Sequence, residues 1–358
     1  MTERTLAVFS ATPREIEGGF ELFAGMLVDE VRNRGVEARL VTPPASQFRA
    51  VTRLLGLGRR FAHLHADAKG EHLDFAKRAS HVYLKGEPLD LAWWGMVGNP
   101  GARRVVGMHT PLRYPPANAA VKMRNAVYAS EVFGALVGRH SKLHLLSARQ
   151  RAQLPRSVRN NVSAVIPNGV VSAEGLPVRS AAGALRFLFV GRLTDQKGLD
   201  RLAPFFAAGR LGTLSVLGDG PERKPLEVAF AGRARFYGQV SREAVAQAMT
   251  EHDVLLMPSR WEGHPFTLLE AMAGGCVPLV QQLPELVDAL PPSQRWLSVD
   301  YDRPSVVEAA LNRLDATAGD PERWGALRRA LHAFVRENFD ASKQLRLVSD
   351  FTLEGDPR

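Results

Sequence analysis

The 358-residue sequence predicts an α/β protein of two doubly wound domains, and three observations carry that expectation. Short, near-continuous apolar segments recur along the chain and end in Gly, Ser or Pro. Longer stretches with helical periodicity lie between many of them. The length suits two domains of about 150 residues each. Parallel strands covered by helices on both faces read as unbroken apolar runs. Strand–helix alternation then implies a doubly wound sheet.

In the first half the strand candidates are TLAVFS, EARLVT, SHVYLKG, RRVVGMHT, KLHLLS and SAVIP. Phe20, Phe23, Leu27 and Val31 recur at spacings of 3, 4 and 4, which puts one apolar stripe on a helix. Gly35 supplies its stop. In the second half the strand candidates are LRFLFVG, GTLSVLG, ARFYG, DVLLMPS and CVPLVQ. Alternation weakens over VSAEGLPVRSAAGAL, Val171 to Leu185, a small, polar, Pro-containing stretch that reads as a linker. The expected organisation is a first domain over residues 1–172, a linker over 173–184, a second domain over 185–340, and a C-terminal tail or helix over 341–358 that could return to the first domain. Ligands of open α/β sheets sit beyond the carboxyl ends of the strands. Two such domains would face a central cleft, so the residues just after each strand are the ones to examine.

Composition narrows the setting. A lone Cys276 cannot form an internal disulfide, which suits a reducing, cytoplasmic compartment. MTERTLAVFS lacks the charged start and apolar core of a signal peptide. No run reaches the roughly 18 apolar residues of a membrane span. The net charge of +9 is uneven. Residues 1–172 hold 24 Lys and Arg against 13 Asp and Glu, whereas residues 173–358 hold 22 against 24. A basic first half suits an anionic partner such as acidic lipid, a phosphorylated substrate or nucleic acid, or serves solubility alone. Nothing resembling a helix-turn-helix, zinc or aromatic-basic signature supports nucleic acid.

Several strand ends carry candidate chemistry. Gly18 and Gly19 precede the first helix, where free N–H groups and the helix dipole favour an anion. Arg192 directly follows LRFLFVG, and Lys197 comes five residues later beside an expected helix start. Two cations there suit a diphosphate, although the P-loop pattern is missing. His109 ends another strand and could bond a sugar hydroxyl or serve structure. Asp219 tips the turn in VLGDGPER, and GQVS, residues 238–241, offers backbone groups to a base. Asp300 and Asp302 in VDYDRP mimic a metal-binding D-x-D, but the following Pro304 and amphipathic run favour a helix N-cap. Trp93 and Trp94 are a sugar platform or, more commonly, packing residues.

The stretch RWEGHPFTLLEAMAGG, Arg260 to Gly275, contains two carboxylates. Thr267 and Glu270 have the spacing of a capping box, and Gly274 and Gly275 close a short helix. Glu262 lies in the preceding loop, where no such local role explains it.

Taken together, VGRLTDQKG, VLGDGPER, FYGQVS and PSRWEGHPFTLLEAMAGGCVPLV resemble the donor domain of a family 4 retaining glycosyltransferase of the GT-B fold, in which two Rossmann-like domains face a central cleft. Glu262 and Glu270 match the E-x7-E arrangement of that family. EGGF, VVGMHTPL, LLSARQR and VIPNGV extend the resemblance through the first half, in the right order. It implies that Arg192 and Lys197 hold the diphosphate of a nucleotide sugar, UDP-linked by preference, and neutralise the leaving group without a metal. Gly18 and Gly19 would touch the same diphosphate, and Glu270 would bind the ribose hydroxyls. Glu262 would sit near the donor sugar and phosphates, and the backbone of Gly263, His264, Pro265 and Phe266 would cradle the sugar. His109 would approach the anomeric carbon, and Val240 would flank the base. No cofactor is expected.

The implied activity is hexosyl or N-acetylhexosaminyl transfer with retention. The acceptor would be a hydroxyl of a lipid-linked or envelope glycan handled by the first domain. SQFRAVTRLLGLGRRFAHL, with Arg49, Arg53, Arg59 and Arg60 among Val51, Leu54, Leu55, Leu57 and Phe61, could lie on an anionic membrane as a peripheral helix. Competing readings are a small soluble acceptor, or an epimerase or phosphorylase of the same fold. Two departures stand out. His264 replaces a more usual apolar residue, and one first-domain strand ends in LKGEP, where relatives more often end in His.

Overall fold

The computed structural model describes residues 4–10, 19–42, 73–114, 119–176, 184–207, 212, 214–230 and 232–354. The chain divides into two compact units, Met1–Asn168 with Ser342–Arg358, and Gly169–Ala341. Gly18, the basic stretch from Arg49 to Phe61 and most of the expected linker lie outside the described residues.

The first unit is built on strands β1 (Thr5–Phe9), β2 (Glu37–Val41), β3 (His81–Lys85), β4 (Arg103–Met108), β5 (Lys142–Leu145) and β6 (Ser163–Val165), ordered β2-β1-β3-β4-β5-β6. Every pairing is parallel. The helices are α1 (Gly19–Asn33), α2 (Leu73–Ala76), α3 (Pro88–Val97), α4 (Ala119–Ala129), α5 (Glu131–Val137) and α6 (Ala148–Gln153). The stripe of Phe20, Phe23, Leu27 and Val31 is buried on α1, joined by Ala24 and Val28. Gly35 follows with φ of 77°, a left-handed stop that favours glycine. Trp93 and Trp94 pack into the core, and Trp94 meets Phe9 edge-on at 5.6 Å. They are packing residues rather than a sugar platform.

The C-terminal helix, Ala341–Leu353, lies with the first unit from Ser342 onward. Arg34 donates to Ser349 Oγ at 2.6 Å and to Asp350 Oδ1 at 2.5 Å. Lys142 Nζ donates to the carbonyls of Phe351 and Glu354 at 3.2 and 2.7 Å.

The second unit repeats the plan with β7 (Phe187–Val190), α7 (Ala203–Ala207), β8 (Leu214–Leu217), α8 (Arg223–Phe230), β9 (Ala234–Gly238), α9 (Arg242–Glu251), β10 (Val254–Met257), α10 (Phe266–Gly274), β11 (Val277–Gln281), α11 (Pro284–Asp288), β12 (Ser298–Val299), α12 (Pro304–Ala318) and α13 (Pro321–Asn338). The strand order is β12-β11-β10-β7-β8-β9, again all parallel. Successive strands leave β7 in opposite directions, so the topological switch point lies between β7 and β10. The two-residue β12 is too short to give a periodic signal, and the sequence reading missed it.

Three local expectations are corrected. The expected helix start after Arg192 is two 3-10 turns, Asp195–Lys197 and Leu199–Leu202, with left-handed Gly198 between them. α10 begins two residues earlier than a capping box requires. Its N-cap is Pro265, with no side-chain cap, so Thr267 and Glu270 do not close a box. Likewise α12 has Arg303 as an unassisted N-cap. Asp300 and Asp302 instead face Arg201, at 3.9 and 2.8 Å.

Backbone crowding fixes the loops at the switch point. A Cβ on Gly218, whose φ is 132°, would stand 2.0 Å from the Gly191 carbonyl oxygen. One on Gly220 would stand 2.3 Å from that of Leu193. The loops after β7 and β8 therefore pack backbone against backbone, which only glycine permits. Gly218→Ala is expected to cost about 1–3 kcal/mol of unfolding free energy. By contrast Gly95→Ala, on the exposed side of α3 with open space at its Cβ, is expected to gain about 0.5–1 kcal/mol. Urea unfolding of both variants checks the pair, and a Gly218→Ala protein as stable as the parent would refute the packing argument.

Candidate functional site

The site in the second unit grows from the loops after β7 and β10. Gly198, with φ of 62°, brings the first loop within 2.4 Å of the Pro258 carbonyl, measured from the position its Cβ would take. Arg201 Nη1 donates to that same carbonyl at 2.8 Å. The Arg260 amide donates to Gln196 O at 2.8 Å, and its guanidinium grips both oxygens of Asp200 at 2.9 and 2.7 Å. Two adjacent strands thus have their loops stitched together by backbone, amide and bidentate contacts.

That stitching delivers Lys197 to Glu262. Lys197 Nζ donates to Glu262 Oε1 at 2.6 Å, and Ser259 Oγ donates to the same oxygen at 2.7 Å. Glu262 is only 6% exposed. Among the described residues its Oε2 accepts no hydrogen bond. An ammonium has three donors, one of them committed here. Arg192, by contrast, is exposed, and its side chain has no partner among the described residues. The structure therefore brings Lys197 and Glu262 together and leaves Arg192 as the open cation beside them in sequence.

Glu270 leans on the neighbouring helix instead. Arg242 Nη2 meets its Oε1 at 3.0 Å. Burial pushes the Glu270 carboxyl above its ordinary range, and Arg242 opposes that shift without cancelling it. Arg242 follows Val240 by two residues, and Ser241 caps α9 by accepting from the Ala244 amide at 3.3 Å. Val240 is half-buried at that turn. Gly263, His264 and Pro265 form the half-buried loop that enters α10 at Phe266. The His264 ring packs on Phe339 at 5.4 Å, and burial pushes its pKa down to about 4, so it is neutral at pH 7. Asp219 accepts from the Gly220 amide at 2.7 Å and pairs with Arg223 at 3.1 Å, which explains it as a turn residue.

In the first unit, His109 follows β4. Its ring lies 5.0 Å from Phe20 and 4.4 Å from Phe23, both on α1. Its Nε2 lies 2.8 Å from the Tyr83 hydroxyl, which also bonds His144 Nδ1. His144 Nε2 reaches the Ile166 carbonyl at 2.7 Å. Gly107 makes the gathering possible, since a Cβ there would stand 2.0 Å from the Tyr83 hydroxyl. Gly19, the first residue of α1, is exposed. At the LKGEP end of β3, Lys85 Nζ lies 3.6 Å from Glu21. Burial alone would lower the Lys85 pKa, but the charges of Asp90, Glu21 and Glu87 outweigh it and hold the ammonium. Sequence reasoning missed Ser259, Arg242, Tyr83 and His144. Only the position of Ser259 at a strand end was visible as a signal.

Breaking a buried ion pair from one side leaves an uncompensated charge, so Lys197→Ala is expected to cost about 3–5 kcal/mol. The double variant Lys197→Ala/Glu262→Ala is expected to recover part of that loss, by at least about 0.5 kcal/mol relative to additivity. Urea unfolding of the full cycle measures the coupling, and strict additivity would show that the contact is energetically idle.

Comparisons with known proteins bear on the fold and on the second unit. Residues 184–315 match the family described as glycosyl transferases group 1. Glycogen synthase of Xanthomonas axonopodis pv. citri (strain 306) is 33% identical over 173 residues, which are 46% of this chain and 36% of that protein. The chain spans between 27% and 56% of the first curated relatives it matches. Among solved structures, sucrose-phosphate synthase from Thermosynechococcus elongatus superposes with a TM-score of 0.74 at 16% identity, over 97% of this chain and 98% of that one. HepE of Anabaena in complex with UDP-glucose gives 0.69 at 14% identity, over 97% and 98%. The chain has the GT-B fold, and residues 184–315 of its second unit match the group 1 glycosyl transferases.

Proposed function

We propose that the protein is a retaining glycosyltransferase that moves a hexosyl or N-acetylhexosaminyl group from a UDP-sugar to a hydroxyl of a lipid-linked or envelope glycan. The observation that carries the reading is the group at the β7/β10 switch point: open Arg192, paired Lys197 and Glu262, and Glu270 midway along α10. Strand ends at such a point are where open α/β sheets take their ligands. The match to group 1 glycosyl transferases covers these residues. The UDP-glucose complex of HepE, a structure of like fold, supports the choice of donor.

In this reading Arg192 meets the diphosphate first, because its charge is uncommitted. Lys197 adds its remaining donors from a position already fixed by Glu262. Charge builds on the departing phosphate oxygen as its bond to the anomeric carbon breaks, and Arg192 and the Glu262-held Lys197 stabilise it with no metal in the scheme. The acceptor oxygen bonds the anomeric carbon on the same face, and its proton passes to the departing phosphate oxygen. Glu262 Oε2 and the backbone of Gly263–Phe266 hold the sugar, and Val240 flanks the base. Gly18, Gly19 and His109 take the diphosphate and anomeric roles that the resemblance implies.

Glu270 separates this reading from a structural one. A carboxyl raised in the folded state contributes most below its unfolded value and loses that contribution as pH rises through the folded value. At neutral pH its charge is therefore a cost to the fold, which suits a group kept for a ligand such as ribose. UDP at 100 times its Kd is expected to stabilise the protein by about 2.7 kcal/mol. Glu270→Gln is expected to unfold at an unchanged or higher urea concentration at pH 7 while binding UDP about tenfold or more weakly. No thermal shift with UDP or any UDP-sugar would sink the donor assignment.

The acceptor side rests on charge. No helix among the described residues is long and apolar enough to cross a membrane. The sequence stretch with Arg49, Arg53, Arg59 and Arg60 instead supports peripheral, cytoplasmic-face association. Flotation with vesicles of anionic lipid is expected to carry the protein at low salt and release it as ionic strength rises. Indifference to lipid charge would refute this part alone.

A further inference from the structure

Ile166, His144, Tyr83 and His109 form one hydrogen-bonded line through the carboxyl ends of β3, β4 and β5. The line has only one consistent set of proton positions. The Ile166 carbonyl can only accept, so His144 Nε2 carries a proton and donates at 2.7 Å. A neutral imidazole then has Nδ1 as its acceptor. The Tyr83 hydroxyl must therefore donate to His144 Nδ1. A hydroxyl has one proton, so Tyr83 can meet His109 only as an acceptor, and His109 Nε2 must carry the proton of that 2.8 Å bond.

The reverse direction requires His144 to be protonated on both nitrogens. Burial opposes that strongly and pushes its pKa down to about 4. Burial likewise holds the Tyr83 hydroxyl protonated, with its pKa raised well above the ordinary tyrosine value. The line therefore carries a fixed polarity across the neutral pH range. Its members are also held in place. Phe23 packs against the rings of Tyr83, His109 and His144, at 5.4, 4.4 and 5.8 Å. Gly107 leaves the space that both the tyrosine hydroxyl and His109 Nε2 occupy.

We infer that Tyr83 and His144 are positioning residues that hold a proton on His109 Nε2 and so lock the ring as its Nε2–H tautomer. This rests on the proposed function only where it concerns turnover. The ring cannot pass its Nε2 proton down the line, because Tyr83 and His144 each already donate to the next member. His109 would then serve the sugar as a ring of fixed orientation and would not relay a proton along this line.

Two-bond proton–nitrogen correlation spectra of the 15N-labelled full chain test the lock without any substrate, with the His109 signals identified by their loss in His109→Asn. The parent protein at pH 7.5 is expected to show His109 as the Nε2–H tautomer. Tyr83→Phe removes the acceptor and is expected to give a mixture of tautomers. His144→Gln, whose amide can both donate to Ile166 and accept from Tyr83, is expected to preserve the lock. An Nδ1–H tautomer in the parent, or one unchanged in Tyr83→Phe, would overturn the inference, and the parent spectrum decides even if a variant does not fold. In transfer assays Tyr83→Phe is expected to lower kcat by about tenfold or more with the donor KM unchanged. A kcat equal to the parent's would overturn the positioning role. Failure of the transferase reading would show separately, as no turnover by the parent.

Discussion

The second unit depends on one contact, the Lys197 ammonium against the Glu262 carboxylate. Two charges leaving water lose several kcal/mol of hydration each, and only close geometry and added hydrogen bonds offset that loss. Here the geometry is a 2.6 Å bond, and Ser259 adds a second donor to the same oxygen. Such a pair cannot form between two free loops. It requires the loop after β7 to turn at left-handed Gly198 and lie on Pro258. It also requires the loop after β10 to be fastened by Arg260 to Gln196 and Asp200. The glycines at 191, 218 and 220 let the β8 loop close against the same backbone. Sequence spacing that looks like a ligand motif is first a set of constraints that aim one cation and one carboxylate.

Much of this was legible in the sequence because it obeys local rules. The near-continuous apolar runs could only be strands covered on both faces, and eleven of the twelve strands among the described residues follow from them. The α1 stripe at Phe20, Phe23, Leu27 and Val31 was equally plain. What failed was the reading of helix starts. Thr267 and Glu270 have capping-box spacing, yet the chain enters α10 from Pro265, two residues too early for that box. Asp300 and Asp302 sit before a proline-led helix, yet Arg201 draws both carboxylates away from the cap. In each case a charge far away in sequence, Arg242 or Arg201, won over a neighbour close by. Tyr83 and His144 were illegible for the same reason. They look like ordinary members of apolar strands until β3, β4 and β5 stand side by side.

The two units handle charge in opposite ways at their strand ends. The second unit is nearly neutral in sum, yet keeps Arg192 open and Lys197 half satisfied. Local arrangement, not net charge, therefore recommends it for an anionic donor. The first half has a surplus of 11 positive charges. The group around His109 is instead a line of hydrogen bonds walled by Phe20 and Phe23. Lys85, at the end of β3, is surrounded by Asp90, Glu21 and Glu87. A histidine whose Nε2–H is fixed by Tyr83 suits oriented contact with an uncharged sugar. The surplus charge is then left to the rest of the first unit's surface. This is why acceptor recognition and membrane attraction form a question about that surface, separable from the chemistry at the strand ends.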